Sequence, residues 1–124
     1  MSKKYDALIL EVDSVVEEAV LLLVNGVIVR CFASYCPIKI EVGMHYEVEF
    51  YLVLPDNVTV LESKEMSVKA TMIDDGFSCV IVGFLDGAII RSFVDFPDEE
   101  IHYECPELNE KFIEFRVNRI DVSF

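Results

Sequence analysis

Apolar residues recur along this chain mainly at every second position. In YEVEFYLVL, residues 46–54, Tyr46, Val48, Phe50, Leu52 and Leu54 fall on one side, with Glu47, Glu49 and Tyr51 on the other. SVKATMI, residues 67–73, alternates in the same way, with Val68, Ala70 and Met72 opposite Ser67, Lys69 and Thr71. A period of two is the pattern of a strand with one face in a core.

Turn residues divide the strands. Asn25-Gly26 lies between two apolar, β-branched runs, and a two-residue type I′ turn needs the positive φ that Asn-Gly supplies. Asp86-Gly87 predicts a second hairpin, from residues 78–84 and 88–94. IDDGF at 73–77 makes a third turn, joining the strand at 67–73 to the one at 78–84. A strand at 4–12 and a turn around 13–18 precede the first hairpin. Ser14 and Glu17 have capping-box spacing, but Val15, Val16, Val20 and Val24 favour extended chain there.

The final segment, FIEFRVNRIDVSF, has apolar residues at 113, 115 and 117 and then at 120, 122 and 124. A change of face at that point predicts a β-bulge near Asn118–Arg119, unless both faces of the strand are buried. SCVIVGF, residues 78–84, is apolar on both faces, so its strand is central or is covered by another chain. The only short helical turn expected is at 106–111, after Pro106.

These elements define a single all-β domain over residues 1–124 with about seven or eight strands. A small antiparallel barrel, OB-like among the candidates, and a two-sheet sandwich both fit that tally. A length of 124 residues suits one domain, and 53% hydrophobic residues beside 27% charged ones exclude disorder. The apolar excess also predicts surface left over for a partner.

Charge narrows the classes of function. The net charge is −13, with −6 on residues 1–62 and −7 on residues 63–124. Nucleic-acid binding needs a basic stripe, and Lys3-Lys4 is the only adjacent basic pair, so neither nucleic acid nor an anionic membrane is an expected partner. MSKKYDALIL places Asp6 where a signal peptide is apolar, and AVLLLV is far short of a membrane span. A cytoplasmic location is expected. The four cysteines, Cys31, Cys36, Cys79 and Cys105, lack paired metal-ligand spacing and are expected to be buried free thiols.

Candidate chemistry concentrates in DFPDEEIHYECPELNEKF, residues 95–112, where seven carboxylates precede the first basic residue. His102 and Cys105 lie among them, without the second ligand pair that zinc needs or the glycine-bent loop that calcium needs. The chain has two histidines and no nucleophile motif, no phosphate loop and no tryptophan to stack on sugars. No catalytic residue, cofactor or metal is therefore expected, and the protein is read as a non-enzyme.

Docking is the functional reading of the segment, through Asp95, Asp98, Glu99, Glu100, Tyr103, Glu104 and Glu107. Carboxylates interleaved with tyrosine suit a basic protein partner. The plain alternative is a solvated loop that keeps an apolar protein in solution. For the whole chain the expectation is an acidic protein-binding module of the inhibitor or immunity type, neutralising a basic partner. The alternatives are a self-associating structural β domain, such as a homodimer, and a small-ligand-binding barrel lined by aromatic residues.

Overall fold

The computed structural model describes residues 3–124. The chain runs through β1 (Tyr5–Val12), β2 (Ala19–Val24), β3 (Val27–Tyr35), β4 (His45–Val53), β5 (Val60–Glu62), β6 (Lys69–Met72), β7 (Cys79–Asp86), β8 (Ile89–Arg91) and β9 (Asp95–Pro97). Helix α1 (Glu99–Glu104) and a 3-10 turn (Pro106–Leu108) follow, then β10 (Phe112–Val117) and β11 (Arg119–Ser123). The all-β expectation holds, in two sheets. The eleven strands among the described residues exceed the seven or eight expected because β5 and β9, of three residues each, are too short for alternation to show, and the final segment divides into β10 and β11.

The first sheet pairs in the order β1-β2-β3-β11-β4, and β4 returns to β1, so five strands close into a barrel of OB-like size. Closure removes the unpaired edges an open sheet would present. One pair departs from the antiparallel expectation: β11 runs parallel to β3. The second sheet has six strands in the order β5-β10-β7-β8-β9, with β6 also on β7.

Local chemistry accounts for the hairpins. Asn25 and Gly26 take φ of 48° and 80°, the left-handed pair a type I′ turn requires, and Val24 faces Val27 across it. Gly87, at φ 60°, serves the turn that puts Asp86 opposite Ile89. The second hairpin is shorter than expected: β8 ends at Arg91, and Ser92 turns the chain by donating its hydroxyl to the Val82 carbonyl at 2.8 Å. In the 13–18 turn the Asp13 carboxylate accepts the amides of Val15 and Val16, both at 2.8 Å. Those bonds hold the Asp13 carboxyl below its usual range, the Val16 amide contributing most.

The change of face after Val117 is not a bulge. At Asn118 the chain leaves the second sheet, where β10 pairs with β5 and β7, and enters the barrel, where β11 pairs with β3 and β4. Ile113, Phe115 and Val117 are buried, and so are Ile120 and Val122. The Asn118 amide donates to the Val53 carbonyl at 2.8 Å, which fixes the crossing.

One core runs through both sheets, from Ile9, Leu22 and Val29 in the barrel to Ile81, Leu85 and Phe115 in the second sheet. An edge-to-face chain of Phe50, Phe93 and Phe96 spans the junction. Strand β7 is central, with β10 on one side and β6 and β8 on the other; Cys79, Ile81, Gly83 and Leu85 are buried on one face, while on the other Val82 is buried and Val80 and Phe84 are half-buried. All four cysteines are free; Cys31 and Cys79 are buried, whereas Cys36 is exposed and Cys105 half-buried. Burial pushes the Cys79 thiol up to about 12 and the Cys31 thiol well above its usual range.

Candidate docking surface

The acidic segment is a seated structure rather than a loose connection. It begins on β9, which pairs with β8 so that Asp95 faces Arg91 and Phe96 faces Ile90. The Asp95 amide donates to the Tyr5 hydroxyl at 3.0 Å, tying the segment to the barrel. Phe96 is buried, and Asp98 then caps α1, its carboxylate accepting the Ile101 amide at 3.0 Å. Glu99 and Glu100 occupy the first turn, where negative charge suits the helix dipole.

Six residues are too few for a helix to stand alone. Ile101, 2% exposed, supplies the anchor by entering the core. The Cys105 amide closes the turn on the Ile101 carbonyl at 2.9 Å, and Pro106 starts the 3-10 turn where a missing amide costs nothing. Farther on, the Glu110 amide donates to the Leu85 carbonyl at 2.8 Å, and the Asn109 side chain accepts the Gly87 amide at 2.8 Å. Both ends of the segment are thereby bound to β7 and its hairpin.

This seating sorts the expected docking residues. Asp95 forms ion pairs with Lys3 at 2.7 Å and Arg91 at 3.2 Å, with its side chain 22% exposed. Its hydrogen bond, and then its charge, raises the Lys3 ammonium above the usual lysine range. Asp95 therefore joins the chain's own basic residues, and Asp98 is occupied as a cap. Glu99, Glu100, Glu104 and Glu107 are exposed, and among the described residues none of them pairs with a cation. Tyr103 stands among them, 86% exposed.

Two depressions flank α1. One is lined by Ala88, Glu99, Glu100, His102 and Tyr103. The other lies between α1 and residues 54–59 and takes in Asp56, Val58, Glu100 and Glu104, which adds a carboxylate from a distant part of the sequence. His102 Nδ1 is buried without a hydrogen-bond partner, and an orphaned polar atom is costly enough to want one. Among the described residues no group of three or more His, Cys, Asp or Glu side chains is arranged to hold a metal ion.

The periodicity missed α1 because its six residues show no apolar stripe. A signal was present nonetheless: Asp98 followed by two glutamates is a helix start. Ile101 as the anchor, and Lys3 and Arg91 as partners of Asp95, depend on contacts across the fold that local sequence does not encode.

A barrel joined to a six-stranded sheet, bearing a firmly seated acidic helix, is the class that fold and surface define. The chain belongs to the family described as uncharacterised conserved protein UCP019853, whose model matches residues 3–124. No curated protein and no solved structure matches the chain. None of the helices among the described residues is long and apolar enough to cross a membrane.

Proposed function

We propose that the protein is an acidic cytoplasmic binding module of the inhibitor or immunity type. It neutralises a basic protein by presenting α1 to that protein's cationic groove. The observation that carries this reading is Tyr103, 86% exposed on a helix fixed from beneath, among four unpaired glutamates. Exposed aromatic surface is unfavourable in water, and tyrosine in a charged setting is a frequent energetic centre of interfaces. A net charge of −13 extends the attraction, speeding encounter with cations at low salt.

Firm seating supports the same reading, because a partner binding α1 orders little chain on contact. The free thiols accord with a reducing compartment. The test is capture of partners by the tagged protein from its own cells at low salt, with release at high salt and identification by mass spectrometry. The control is a Glu99→Lys, Glu100→Lys, Glu104→Lys variant, which spares the Asp98 cap. The reading expects one basic protein in stoichiometric amount, freed by salt and absent with the variant. Equal capture by the variant would reduce α1 to a solubilising surface, and recovery of the protein alone would favour self-association.

A further inference from the structure

The strand edges of the molecule are not treated alike. The closed barrel presents none, and the far edge of β6 lies against β3. At the outer edge of β9, Asp95 and Pro97 face away from β8, because the bonded pairs between these strands include Ala88 with Asp98. The Asp95 amide is taken by the Tyr5 hydroxyl, and Pro97 has no amide to offer. Strand β5 has neither protection. It ends the second sheet, with β10 beside it on one side alone. The Ser63 amide donates to the Phe112 carbonyl at 2.8 Å, and alternation makes Leu61 with Glu114 the next bonded pair. The amides and carbonyls of Val60 and Glu62 therefore point outward, where no strand or turn of the described residues meets them. Leu61, 57% exposed, stands between them.

Charge singles out the same edge. Residues 60–72 and 111–117, which hold β5, β6 and β10, carry four basic residues against three acidic ones in a chain of net charge −13. The two ends of β5 also differ in sign. Before it stands Asp56, exposed and grouped with Glu100 and Glu104 around one depression. After it stands Lys64, exposed, while its neighbours Glu62 and Glu65 are paired with Lys111 and Lys69. Among the described residues neither Asp56 nor Lys64 has an ion-pair partner.

We infer that a second copy of this chain adds to the open edge of β5, the two strands running antiparallel about a two-fold axis at Leu61. Val60 of each copy then exchanges both backbone bonds with Glu62 of the other, and the two exposed leucines meet as a close, non-bonded pair. Such an interface is self-complementary, as a two-fold requires. The antiparallel approach carries Lys64 of each copy to the acidic end of the other, and a parallel one would set like ends together. Elsewhere the charge of −13 repels a second copy, but the sheet around β5 does not. A basic foreign strand finds no excess of acid along that sheet. The inference stands apart from the docking role of α1 and adds a second contact at a different edge of the fold.

Sedimentation of the full chain between about 10 μM and 1 mM is the test, a range suited to a short, transient contact. The expected result is a reversible dimer, with the Val60 and Glu62 amides gaining hydrogen-exchange protection as it forms. Leu61→Lys, which sets two ammonium groups face to face, should abolish it. Should that variant disturb the fold, Lys64→Glu alters an exposed residue and should weaken the dimer about tenfold, and adding Asp56→Lys should restore it. A monomer throughout the range would overturn the inference, as would a dimer that Leu61→Lys and Lys64→Glu both leave intact. Protection of Val60 and Glu62 only on addition of a captured basic protein would make a foreign strand the occupant and overturn the second copy.

Discussion

Strands β2 and β7 are both apolar on both faces, yet the fold treats them differently. In β7, Cys79, Ile81, Gly83 and Leu85 are buried on one face, and on the other Val82 is buried between half-buried Val80 and Phe84. In β2 only Val20, Leu22 and Val24 are buried, and Leu21 and Leu23 stay on the outer surface of the barrel. Continuous apolar sequence implies cover on both faces of a strand. The chain covers one face of each strand fully; on the second face it buries Val82 of β7 but no residue of β2, where Leu21 and Leu23 stay half-buried. The same sequence signature therefore marks a second face that is largely packed in one case and a half-buried barrel exterior in the other.

The largest expected effect comes from removing a buried cross-strand neighbour of β7. Phe115 of β10 lies opposite Ile81 and is 2% exposed, so Phe115→Ala should destabilise the fold by about 3–5 kcal/mol in denaturant titration. Next is Gly83, where an added Cβ would lie 3.0 Å from the Arg91 carbonyl oxygen and 3.0 Å from the Ser92 Cβ. Backbone cannot yield as a flexible side chain can, so Gly83→Ala should cost about 1–3 kcal/mol by the same measurement.

Asp98→Ala, which removes the cap of α1, should cost about 1 kcal/mol and reduce hydrogen-exchange protection of the Ile101 amide. Leu23→Asn on the open face of β2 should change stability by no more than about 0.5 kcal/mol. A cost there as large as that of Phe115→Ala would show that the outer face of β2 is packed after all and would end the contrast.

The smallest effect concerns the turn that launches β2. The carboxyl of Asp13 titrates below its unfolded value, so the stability it contributes is present above about pH 4 and is lost as pH falls through the folded value. Exchange protection of the Val15 and Val16 amides should decline in that acid range, while β7 amides stay protected. Simultaneous loss in both regions would mean that the turn and the central strand open together.

What the sequence made legible was local. The Asn25-Gly26 and Asp86-Gly87 turns and the strand at 46–54 follow from period and turn chemistry alone, whereas 78–84 was legible only as central or covered by another chain, and its pairing with β10, β6 and β8 decides for the first. The shift of apolar phase across residues 117–120 was equally visible, but its meaning was not. A bulge and a crossing between sheets leave the same local trace, and only the partners of β11, far away in β3 and β4, distinguish them. The acidic segment was legible as charge. Which carboxylates remain available depended on Lys3 and Arg91 reaching Asp95, contacts made only once β9 lies against β8.

The most direct test takes the basic protein captured from cells and measures its affinity for the purified chain across a range of ionic strength. Wild type is compared with the Glu99→Lys, Glu100→Lys, Glu104→Lys variant. The expected result is steep weakening with salt for wild type, and for the variant a flatter dependence with at least about tenfold lower affinity at low salt. Superimposable salt dependences for the two proteins would contradict the docking role of α1.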